Sequence, residues 1–113
     1  MVLTLIISNI GLTVGHHKYY VGDNQQWTYK MTSNWSNGKK FYAGDILVFK
    51  YNPGEHNVIK VNAEDYTFCR VPANVKVYES GNDHIKLKRG DNYFICGIFG
   101  HCGIGMKIAI KAY

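Results

Sequence analysis

Cys96, His101 and Met106 stand at i, i+5 and i+10 in the run Cys96-Gly97-Ile98-Phe99-Gly100-His101-Cys102-Gly103-Ile104-Gly105-Met106. A thiol, an imidazole and a thioether at that spacing meet at one point only if the backbone between them curls, and four glycines permit it. His56 follows the chain-breaking Asn52-Pro53-Gly54 and opens a strand-like run, so at one pole of a β-sandwich it can supply a fourth donor. Two imidazoles, one thiolate and a weak axial thioether are the donors expected for one copper ion of the blue, electron-transferring type. Structural zinc would carry more thiolates and usually no methionine. Four protein donors leave no open position for a substrate, which speaks against hydrolysis and against an enzyme.

The three cysteines sharpen this reading. An odd number in a secreted chain leaves one thiol over. His101 beside Cys102 could suggest a nucleophile pair, but neighbours on an extended segment point to opposite sides. Cys102 can instead pair with Cys69, closing a loop of about 33 residues that would stabilise the fold by roughly 3–4 kcal/mol. Cys96 would then be the free thiolate.

The elements that must position these donors are short. A chain of 113 residues is one domain by default. Twelve glycines, nine tyrosines and no sustained helical period favour a turn-dense β protein. Strands are expected at Tyr19–Val21, Ile46–Tyr51, His56–Val61, Val75–Tyr78, Ile85–Leu87, Tyr93–Cys96 and Met106–Ala112, with one helical turn at Ala63–Phe68. About seven strands separated by Gly, Asn and Asp turns imply an all-β sandwich of two sheets with one or two short helical turns. Trp27, Phe49, Tyr51 and Phe94 read as core rather than as an electron path, and Trp35 reads as either core or an exposed contact.

Residues 1–15 carry no charge and end in small residues. They read as the remnant of a signal peptide, too short to span a bilayer, leaving 16–113 as the domain. With the sequon Asn34-Trp35-Ser36, a possible glycosylation site at Asn34, this points to a secreted, extracellular protein of the apoplast or cell wall. The net charge of +5 is scattered. It suits an unidentified redox partner that is an acidic protein, or an acidic cell-wall polysaccharide. No basic stripe interleaved with stacking aromatics indicates nucleic acid. A monomer is expected. His16, His17 and His84 read as surface histidines.

The chain resembles the phytocyanins, plant blue-copper proteins of cupredoxin fold, and within them the plantacyanin or basic blue subgroup. The resemblance runs from about Tyr19 to Ala112. It rests on Tyr19-Tyr20-Val21-Gly22-Asp23, Trp27, Phe41 through Tyr51, Glu55-His56-Asn57-Val58 and Cys96 through Lys107. It implies a Greek-key cupredoxin sandwich, His56, Cys96, His101 and Met106 as copper ligands, and a Cys69–Cys102 disulfide. It also implies Asn57 as an outer residue whose backbone hydrogen-bonds the Cys96 sulfur. Phe99 stands where proline is common, so a looser loop or a larger apolar rim is expected. A one-electron carrier follows. The alternative is an extracellular wall or signalling module with a basic binding surface, in which copper is structural.

Overall fold

The computed structural model describes residues 16–113; the expected leader at 1–15 lies outside them. Six strands form two three-stranded sheets: β1 (Lys18–Tyr20), β2 (Ile46–Lys50) and β4 (Asn82–Lys86) in one, β3 (Ile59–Val61), β5 (Gly90–Ile95) and β6 (Lys107–Ala112) in the other. In the first sheet β1 runs parallel to β2, with Lys18 opposite Ile46, and β4 pairs antiparallel, with Leu47 opposite Ile85. In the second, β5 pairs antiparallel with both neighbours, setting Phe94 against Lys60 and Ile108. The connections from β2 to β3, from β3 to β4 and from β4 to β5 all cross between the sheets.

The pattern of side chains explains the layering. Along β6, Ile108, Ile110 and Ala112 point inward while Ala109 and Lys111 face out, the period of two of a half-buried strand. β2 is central in its sheet, and Leu47, Val48 and Phe49 are all buried. The core between the sheets is spanned by Trp27, Phe49 and Phe94, whose rings meet at 5.0 and 5.3 Å. Trp27, Phe49, Tyr51 and Phe94 are therefore core residues. Trp35 is half-buried against Phe41, with its indole N–H lacking a partner among the described residues.

A smaller cluster lies on the other face of the second sheet. There Ile59, Ile95 and Cys102 are covered by Tyr66, Cys69 and Val75. The cover is α1 (Ala63–Phe68), capped by Asn62, whose side-chain oxygen accepts the Asp65 N–H at 2.8 Å. The helix stops at Cys69, which takes a left-handed conformation (φ 55°) and forms the disulfide to Cys102.

One expected strand is absent among the described residues: Val75–Tyr78 contributes a single bridge. Tyr78 exchanges backbone hydrogen bonds with Val58 at 2.8 and 2.9 Å, and the pairing ends there. The expected strand at His56–Val61 begins only at Ile59; before it, the Asn57 carbonyl accepts the Trp27 indole N–H at 2.8 Å and its side-chain oxygen accepts the Gly97 N–H. Among the described residues there are six strands rather than about seven. β4 starts three residues earlier than expected, since Asn82 and Asp83 pair with Lys50 and Phe49 instead of turning.

The disulfide closes 33 residues of chain and ties α1 to the segment before β6. Replacing Cys69 and Cys102 together by Ala is expected to lower stability by about 3 kcal/mol. A urea titration of the metal-free protein, followed by tryptophan fluorescence, measures the loss as a lower midpoint.

Candidate metal centre

The segment between β5 and β6 closes on itself. The Cys96 N–H donates to the Met106 carbonyl at 3.0 Å, and the Met106 N–H donates to the His101 carbonyl at 3.1 Å. Residues spaced five and ten apart in sequence are thereby brought side by side. The turn back into β6 passes through Gly105 at φ 106°, a conformation that a side chain would strain. His56 arrives from the β2–β3 connection, after a turn in which the Glu55 N–H donates to the Asn52 carbonyl.

Three donor atoms converge. His56 Nδ1 and His101 Nδ1 lie 3.2 Å apart, and Cys96 Sγ is 3.5 Å from the second and 4.0 Å from the first. This is the one group of metal-ligating His, Cys or acidic residues among those described. An ion bound at about 2.0 Å from nitrogen and 2.3 Å from sulfur, as for zinc, would hold three donors in a plane about 3.5–3.7 Å apart. The observed spacings bracket those values, so the cluster fits a single ion of that size. Met106 is fully buried in the same core cluster as Cys96, which leaves its thioether no exposure to solvent. His16 and His84 are exposed, and His17 lies 3.9 Å from Asp45; none of them joins the cluster.

The electrostatics suit a metal. Cys96 is buried and free. Burial pushes its thiol pKa up, while the backbone amides of Asn57 and Ile98, hydrogen-bonded to sulfur, act the other way. Burial, and then the neighbouring His101, push His56 below the usual imidazole range, with Glu55 opposing. A neutral imidazole with a free lone pair is the form that coordinates.

Asn57 holds the two halves of the site together. Its carbonyl receives the Trp27 indole, its side-chain oxygen accepts the Gly97 N–H at 2.6 Å, and its own amide supports the Cys96 sulfur. Gly97 is required by this closeness: a Cβ there would stand 2.4 Å from Ile59 Cδ1 and 3.1 Å from Asn57 Oδ1.

Two further residues touch the site without having been legible in the sequence. Tyr29 lies over both histidines, its ring centroid 6.1 Å from that of His56 and 6.3 Å from that of His101, while remaining 58% exposed. Tyr51 packs its ring 6.4 Å from His56 and directs its hydroxyl to Asp83 and to the Tyr78 carbonyl. Tyr29 has no motif around it; only the fold brings its loop to this pole. Phe99, two residues before His101, is 99% exposed and presents an apolar surface on this loop.

Known proteins are similar to this chain over most of its length. A family model for the plastocyanin-like domain matches residues 25–106. The basic blue protein of Cucumis sativus is 53% identical over 94 residues, 83% of this chain and 97% of that protein. Chemocyanin of Lilium longiflorum is likewise 53% identical, over 83% of this chain and 74% of its own length. Among solved structures, the cucumber basic protein, a blue copper protein, superposes with a TM-score of 0.81 at 51% identity, covering 85% of this chain and 99% of that one. Spinach plantacyanin does so at 0.73 and 46% identity, covering 88% and 100%.

Asn57→Ala leaves the Gly97 N–H without its acceptor. A stability loss of about 1–3 kcal/mol is expected, with a displaced absorption maximum of the copper-loaded protein. Denaturant titration and a visible spectrum check the two parts separately.

Proposed function

The chain belongs to the phytocyanin family of blue copper proteins, and on that footing we propose that His56 Nδ1, His101 Nδ1, Cys96 Sγ and Met106 hold its single type 1 copper. The observation that carries the reading is the meeting of two imidazoles and a free buried thiol within 4.0 Å. Copper in such a site supplies one-electron exchange between its cupric and cuprous states.

The remaining work falls to the chain. The disulfide, the Asn57 hydrogen bonds and the Cys96–Met106 backbone contact hold the donors in place whichever charge the site carries. A frame that does not rearrange keeps the barrier to electron exchange low. Amides aimed at the Cys96 sulfur withdraw density from the thiolate and so tune the potential. His56 is buried, but His101 is half-buried and lies beside the exposed Phe99, so the His101 edge is the natural exit for an electron. Phe99 and Ile104 make that exit apolar, suited to brief contact with a redox partner.

We read the protein as a monomeric electron carrier that turns over no substrate, secreted to the extracellular space after loss of residues 1–15. The exposure of Asn34 in its sequon supports this compartment. No helix among the described residues is long and apolar enough to cross a membrane.

Loaded with one equivalent of copper, the protein is expected to show an intense visible thiolate-to-copper band and the paramagnetic resonance of a type 1 site. Cys96→Ser should lose the band while keeping its far-ultraviolet circular dichroism. A colourless wild-type protein at full copper occupancy would overturn the assignment.

A further inference from the structure

The end of the sandwich remote from the metal centre carries a second ordered surface. β6 leads away from Met106, and its far end lies roughly 20 Å from it at about 3.3 Å per residue. There Phe41 bridges Ala112, the Tyr113 N–H donates to the Phe41 carbonyl at 3.0 Å, and the Ala43 N–H donates to the Tyr113 carbonyl at 2.8 Å. Phe41 and Ala112 are buried, so their neighbours Lys40, Tyr42, Lys111 and Tyr113 all turn outward. Lys40 Nζ stands 4.9 Å from the Tyr113 ring centre and 5.7 Å from that of Tyr42, and Lys111 Nζ stands 5.5 Å from Tyr113. Tyr42 and Tyr113 are nevertheless 41% and 54% exposed. The turn at Lys88-Arg89 adds further positive charge beside Ala112, because Gly90 is its ladder partner.

Among the described residues, no side-chain carboxylate forms an ion pair with Lys40, Lys88, Arg89 or Lys111. Among the described residues, ion pairs involve only His17 with Asp45 and Arg70 with Glu64 and Asp65. Asp91 opposes Lys111 in the ladder without reaching ion-pair distance. Asp45 is buried, its carboxylate oxygens accepting the backbone N–H groups of His17 and Tyr42. Residues 1–15 contain no Asp or Glu.

We propose that this pole is a binding site for an acidic polysaccharide, a chain of uronic-acid sugars, independent of the copper site. Ammonium groups held over tyrosine rings lose less freedom on meeting an anion than lysines free in solvent. The exposed remainder of each ring offers a flat apolar face, which suits the C–H face of a pyranose while the lysines take its carboxylates. An acidic protein needs the charges but not the paired flat faces.

The test compares variants at equal net charge. Lys40→Gln/Lys111→Gln is set against Lys50→Gln/Lys76→Gln, exposed lysines outside the patch. Tyr42→Ser tests the ring. Each copper-loaded protein is titrated with polygalacturonate and with polyglutamate of matched charge density, at physiological salt. The patch variant is expected to bind polygalacturonate about tenfold more weakly, the control pair to stay near wild type, and Tyr42→Ser to weaken polygalacturonate but not polyglutamate. All should keep the blue absorption, which reports an intact fold and metal centre. Equal losses in both lysine pairs would show diffuse charge and overturn the site. Equal losses for the two polymers would overturn the sugar and leave a general acidic partner. Metal-free protein should bind as well as copper-loaded protein, so failure here is distinct from failure of the copper assignment.

Discussion

Three donor atoms have to meet at one largely buried point. Burial disfavours the thiolate of Cys96 and the protonated form of His56, as the directions of their pKa shifts record. Without a metal the two imidazole nitrogens and the thiol, 3.2 to 4.0 Å apart, have only one another as hydrogen-bond partners at this point. The fold imposes this arrangement and copper relieves it. Metal affinity and folding are therefore linked: the free energy of binding adds to the stability of the state that brings the donors together.

The sandwich meets the constraint by drawing ligands from two places that its topology makes adjacent. His56 lies in the connection from one sheet to the other. Cys96 and His101 come from the link between β5 and β6, whose two ends the antiparallel ladder sets side by side. Asn57 joins these two sources, and its carbonyl bond to Trp27 anchors the junction in the aromatic core. The disulfide holds the same link from its other side, through Cys102, the neighbour of His101. The site is rigid because the ligand loop shares its bonds with the core.

Much of this was legible in the sequence because the relevant signals are local. The glycines between Cys96 and Met106, the alternation of Met106–Ala112 and the Pro53-Gly54 break depend on near neighbours, and Ala63–Phe68 is helical over the expected span. Cysteine accounting worked for a different reason: three thiols admit few arrangements, and only Cys96 lies at ligand spacing. What could not be read depends on distant segments. The strand expected at Val75–Tyr78 reduces to one bridge, made by Tyr78 to Val58 about twenty residues earlier. Tyr29 and Tyr51 reach the histidines only through the packing of loops, and no spacing announces that.

The two ends of the molecule lie well apart. At physiological ionic strength the screening length is about 8 Å, well short of the roughly 20 Å that β6 spans between the metal centre and the lysine–tyrosine pole. A polyanion held at one end is screened, through solvent, from the charges exposed at the other. The apolar rim of Phe99 and Ile104 can therefore stay open to a partner while the opposite pole is occupied. Anchoring there would turn the His101 edge away from the anchored surface. The positive charge, scattered when read along the sequence, gains a direction in space because Phe41 and Ala112 pair and force their neighbours outward on one face.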